Sequence, residues 1–139
     1  MSETVLVLEV HAKASLPVIE SARRHGRRVI VGAPHRCCSG MFSRYPHERV
    51  VYPSAIKEPE AFRTWLVQFV RERRPDMIYP AGDPVTAACA ALQDELRQWT
   101  RLVLPPNHNF AIARSKVGTM KAARQAGVAI PETWYFENS

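Results

Sequence analysis

Glycine is scarce in this 139-residue chain: there are six in all, and none stands between Met1 and Gly26. A dinucleotide-binding domain needs G-x-G-x-x-G after its first strand, so that the backbone can approach a pyrophosphate. That site is disfavoured here. No P-loop, no G-x-S-x-G and no H-E-x-x-H occurs either. Cysteine is equally sparse and odd in number: Cys37 and Cys38 are adjacent and Cys89 stands alone. This gives no disulfide framework and no C-x-x-C for a metal, so reduced thiols fit best. Long apolar runs are absent. Stretches such as "VLVL" and "VIVGA" fall far short of the roughly 20 residues that span a bilayer. The start "MSETVLVLEV" has no basic region ahead of its apolar residues, so a first strand and a cytoplasmic location are expected, with no membrane partner.

What is present suits one ordinary folded domain. Apolar residues make up 46% of the chain, near the globular norm, so disorder is not expected. Net charge is +6, from 19 basic and 13 acidic residues. The basic groups are mostly arginines near expected helix ends, where they favour the macrodipole. Phe62, Trp65, Phe69 and Trp99 fall on expected core faces and are not interleaved with the arginines. A stacking platform for nucleic acid is therefore the least favoured reading.

The elements alternate. Strands are expected at 4–10, 27–33, 48–53, 76–82 and 101–106. Helices are expected at 16–26, 58–75, 84–99, 108–114 and 115–126. The stretch 58–75 is the clearest helix: Phe62, Trp65, Leu66, Phe69 and Val70 form one apolar stripe, and Pro75 ends it. The segment "PHRCCSGMFSRYPH" (34–47) has no period and reads as a long loop. Strands separated by helices imply an α/β fold of three layers, Rossmann-like, with a parallel sheet of about five strands. In such folds ligands bind beyond the carboxyl ends of the strands.

Those ends narrow the candidates. "EVHAKASLP" offers His11, Lys13 and Ser15 beside the first helix, for an anion or simply for a turn. The long loop offers Arg36 and Arg44. "YPAGDP" offers Asp83, which could also serve only as the N-cap of the following helix. "PPNHN" needs no ligand to explain it, since a turn and a helix start suffice. No residue set in the sequence is recognisably catalytic, and none has the spacing of a metal site.

Taken together, "FSRYPHERVVYPS" (42–54), "DMIYPAGDP" (76–84) and "SKVGTMKAARQAGVAIPETW" (115–134) resemble the N-terminal region of ATP-grasp ligases. The likeness is to uncharacterised members related to the carbamoyl-phosphate synthase large chain. Ser115-Lys116 stands where that family has Asp-Lys, and Met120, Ala123, Gly127, Val128, Pro131, Thr133 and Trp134 match the rest of the hinge motif. The resemblance implies a pre-ATP-grasp domain over 1–107. It also implies a helical hinge over 108–139 whose last part, 133–137, begins the first strand of an ATP-grasp domain. That strand would dock weakly or borrow a partner from a second copy, giving a homodimer. The implied chemistry uses Mg-ATP to activate a carboxylate as an acyl phosphate, which an amine or related nucleophile attacks. ATP and Mg²⁺ would belong to the ATP-grasp domain of the parent protein, with no cofactor in this chain and no activity from it alone. The substrate would be a small carboxylate or amine, bound by His11, Lys13, Arg36, Arg44 and Asp83. The alternative is a free-standing Rossmann-like module for a nucleotide or small anion.

Overall fold

The computed structural model of the chain describes residues 2–134. They divide into two compact units, one reaching Val103 and one beginning at Leu104. The first unit holds a five-stranded sheet in the order β3-β2-β1-β4-β5. Its strands are β1 (Thr4–Leu8), β2 (Arg28–Ala33), β3 (Glu48–Val51), β4 (Met77–Pro80) and β5 (Arg101–Leu102), and every pairing is parallel. Between them lie α1 (Ser15–Arg24), α2 (Ser39–Phe42), α3 (Pro59–Arg73), α4 (Asp83–Ala91) and α5 (Gln93–Leu96). This is the expected Rossmann-like α/β fold.

The strand at the centre sets the rest. Val5, Leu6, Val7 and Leu8 are each at most 1% exposed, as a parallel strand covered on both faces should be. Val5 and Val7 join Ile19 and Ala22 of α1 and Val29 and Val31 of β2 in one cluster, with Met41 of α2. Leu6 and Leu8 point to the opposite face. There Tyr52 lies over Gly32, and Phe62 of α3 meets the Tyr52 ring at 5.1 Å. A Cβ on Gly32 would sit 2.9 Å from the Tyr52 ring, so glycine is what lets this aromatic close onto β2. Trp65 and Phe69 extend the contact along α3, with ring centroids 5.0 Å apart.

The strand expected over 4–10 stops at Leu8. Glu9 takes φ 63°, a left-handed backbone that cannot continue a strand. The expected loop over 34–47 contains a short helix, α2, seated by Gly40. Its N–H donates to the Val10 carbonyl at 3.0 Å, and any Cβ on Gly40 would run into Val10. The helix expected over 84–99 breaks at Leu92 into α4 and α5, with Gln93 buried at the break. The last strand, expected over 101–106, covers only Arg101–Leu102. Pro105 and Pro106 follow, and neither has an N–H for a ladder. Part of the basic excess is paired: Arg28 and Arg73 both reach Glu48, at 3.2 and 2.6 Å.

The second unit contains α6 (Asn107–Arg114) and α7 (Lys116–Gln125). Ser115 caps α7 by accepting the Gly118 N–H at 3.0 Å. Gly127, at φ 73°, ends it. The N–H groups of Val128 and Gly127 then reach back to the carbonyls of Ala123 and Arg124, the Schellman pattern that satisfies a helix end. The Gly-Val of the hinge motif is therefore a helix stop. Residues 135–137 of the expected final strand lie outside the described residues. No helix among the described residues is long and apolar enough to cross a membrane.

Two substitutions probe this packing. Phe62→Ala removes a fully buried ring, and unfolding by urea should show a loss of about 3–5 kcal/mol. Gly40→Ala should lower stability by about 1–3 kcal/mol through its collision with Val10.

Candidate functional site

The strand order turns back on itself at β1, which has β2 on one side and β4 on the other. A crevice forms at the carboxyl ends beside such a switch. A cavity of about 490 Å³ lies there, lined by Glu9 and His11 after β1, His35 after β2, Tyr52 and Lys57 after β3, and Val85 of α4. A larger open groove of about 840 Å³ runs along α3, and none of its lining residues belongs to a strand-end loop.

Glu9 is the centre of the first cavity's chemistry. It is 6% exposed. Its backbone N–H donates to the Tyr52 hydroxyl oxygen at 2.9 Å. The Val85 N–H, in the first turn of α4, is close enough to favour the charged form of its carboxyl. Asp83 does not take the expected N-cap role: Gly82 is the N-cap, no side chain bonds there, and Asp83 is the first helical residue. Gly82 must lack a side chain, because a Cβ would run into the Glu9 carboxylate.

The electrostatics follow from burial. Desolvation pushes the Glu9 carboxyl above its ordinary range. His11 and the Val85 N–H oppose the shift, and the nearby Asp83 charge adds to it. One oxygen, Oε2, has no hydrogen-bond partner, while His11 Nε2 stands 3.7 Å from Oε1. Burial also pushes the Tyr52 hydroxyl up, so it stays neutral at physiological pH. The His11 and His35 rings are 6.0 Å apart. Among the described residues no group of three His, Cys, Asp or Glu side chains could hold a metal ion. Cys89 is buried, and its thiol is pushed up to about 12 by that burial, so it packs as an inert apolar group.

The residues singled out from the sequence are only partly brought together. His11 lines the cavity. Asp83 is exposed at the start of α4, close enough to act on Glu9 through its charge. Lys13 is exposed in the turn before α1 and is not on the cavity wall. Arg36 lines a separate cavity of about 480 Å³ with Met41, Phe42, Arg49 and Val51. Arg44 lies over the Tyr45 ring, 5.2 Å from its centroid. Glu9, Tyr52 and Lys57 escaped the sequence reading. For Glu9 the signal was there: it is the only charged residue in "TVLVLEV".

No family model matches the chain, and no curated protein matches it. Solved structures do share its fold. An L-amino acid ligase from Bacillus licheniformis superposes with a TM-score of 0.72 at 20% identity, covering 94% of this chain and 32% of that one. The glycinamide-RNase-transformylase T of Mycobacterium tuberculosis gives a TM-score of 0.67 at 20% identity, covering 90% and 36%. The biotin carboxylase domain of a thermophilic 2-oxoglutarate carboxylase gives 0.66 at 13% identity, covering 92% and 29%. These are ATP-grasp enzymes, and the chain has the fold of their N-terminal domains. It spans about a third of their length.

The geometry around Glu9 has a measurable signature. The folded chain holds the Glu9 proton more tightly than the unfolded chain does. Stability should therefore fall as pH rises from the ordinary value of 4.5 through the raised folded value. Glu9→Gln should flatten that part of the profile in thermal melts and match or exceed the parent chain at neutral pH. Gly82→Ala should cost about 1–3 kcal/mol, and the added change Glu9→Gly should return part of it in a double-mutant cycle.

Proposed function

We propose that this chain is the substrate-side domain of an ATP-dependent ligase, which joins a carboxylate to an amine or related nucleophile through an acyl phosphate. The observation that carries this reading is the cavity of about 490 Å³ at the carboxyl strand ends, in a fold shared with an amino acid ligase, a transformylase and biotin carboxylases. The chain's own part is to bind and orient. Lys57, with His11 and His35 when protonated, offers positive charge to a substrate carboxylate. Apolar Pro34, Ile56 and Val85 shield the bound group from water.

ATP and Mg²⁺ fall to the ATP-grasp domain of the parent protein. This assignment rests on the sequence of the chain, which carries no P-loop or paired glycine-rich loop for phosphates. No step of the reaction is assigned to this chain alone.

A thermal-shift panel of the purified chain tests the reading. Small carboxylates and amines should raise the melting temperature, and nucleotides should not. A response confined to nucleotides would favour a free-standing nucleotide module. Formation of ADP from Mg-ATP by this chain by itself would overturn the proposal.

A further inference from the structure

Glu9 carries costs that the fold does not demand. Its backbone sits at φ 63°, where a residue other than glycine is strained. Its side chain is 6% exposed, and Oε2 has no partner. The imidazole of His11 is 3.7 Å from the other oxygen, beyond hydrogen-bond range. The nearby Val85 N–H calls for an acceptor at this position but not for a charge, since a Gln could face it equally well. Beside it, the Tyr52 hydroxyl oxygen takes the Glu9 N–H at 2.9 Å and retains a second lone pair.

Both residues line the same cavity. A buried carboxyl with one unpartnered oxygen and a neutral hydroxyl acceptor therefore stand together on its wall. A ligand carboxylate placed there would meet like charge. A neutral ligand would leave Oε2 without a charged partner, His11 standing only near Oε1. A protonated amine supplies both the charge and the N–H donors that these acceptors lack.

We propose that the wall of this cavity formed by Glu9 and Tyr52 is a seat for a protonated primary amine, held by the Glu9 carboxylate and the Tyr52 hydroxyl oxygen. The small molecule taken by the chain is then amine-bearing, with amino acids the simplest class. The inference rests on reading the cavity as the substrate pocket, and it adds which polar group of the ligand meets Glu9. Lys57, contributed by the loop after β3, remains for a carboxylate.

The test is an NMR titration of the whole chain with amino acids, with their carboxamides and with their N-acetyl derivatives. The carboxamides keep the amine and lose the carboxylate; the N-acetyl compounds do the reverse. Amino acids and carboxamides should bind and shift the backbone signals of Glu9 and Tyr52, and N-acetyl compounds should not. Glu9→Gln should weaken amine binding by about tenfold or more, from the loss of a charge-assisted contact, without lowering the melting temperature. A residue serving only to hold α4 would leave binding unchanged. N-acetyl derivatives binding as tightly as the amino acids would overturn the amine seat and leave the substrate-pocket reading standing. Unchanged amine affinity in Glu9→Gln would also overturn it. No binding by any of the compounds would overturn both.

Discussion

Burial of β1 on every side is the constraint from which the rest of the molecule follows. The strand is hydrogen-bonded to β2 on one edge and to β4 on the other. Its two faces are covered by different helices, and Val5 to Leu8 have almost no contact with water. No charged side chain can be accommodated along such a strand without severe desolvation. The first one arrives where the strand ends, at Glu9, and the backbone turns out of the sheet at that residue. The reversal of strand order beside β1 opens a crevice at that same end. Thus the strand that organises the core also delivers a carboxylate to the cavity.

The site is then assembled by backbone approach. Gly40 brings α2 against Val10, Gly32 admits the Tyr52 ring, and Gly82 makes room for the Glu9 carboxylate. Each is a place where one more carbon would force neighbouring atoms apart. With Tyr52 seated, its hydroxyl meets the Glu9 N–H, and this bond helps hold the left-handed turn. Strain at one residue, of order 1–3 kcal/mol, is sustained because the surrounding core leaves the turn little alternative. The cavity is consequently preformed by packing, with its polar groups held by elements far apart in the chain.

The likeness to ATP-grasp structures acts at the level of fold. It gives the chain the fold of their N-terminal domains, in which carboxyl strand ends beside a switch in strand order form a crevice. Lys57 and Tyr52, contributed after β3, and Glu9 and His11, contributed after β1, distinguish this cavity from the glycine-rich phosphate loop of dinucleotide-binding relatives of the fold. The α6–α7 unit shows similar economy. Ser115 caps its helix with its hydroxyl, and Gly127 stops it.

The alternation of strands and helices was legible in the sequence, because burial on two faces demands unbroken apolar runs and helices declare their stripe and their ends. The apolar stripe of α3, the stop at Gly26 and the turn at Gly127 are all local signals. The fold and the resemblance carried by the loops followed from them. The short helix α2 and the early end of β1 were not legible, since each depends on a contact made by a distant residue: Val10 for Gly40 and Tyr52 for Glu9. The same holds for the site. Sequence alone picked out polar residues near strand ends, but it could not show that His11 meets Glu9 and Tyr52 while Arg36 and Arg44 settle elsewhere. Strand order and close backbone packing decided that, because convergence in space is a property of how the elements stack and not of their spacing along the chain.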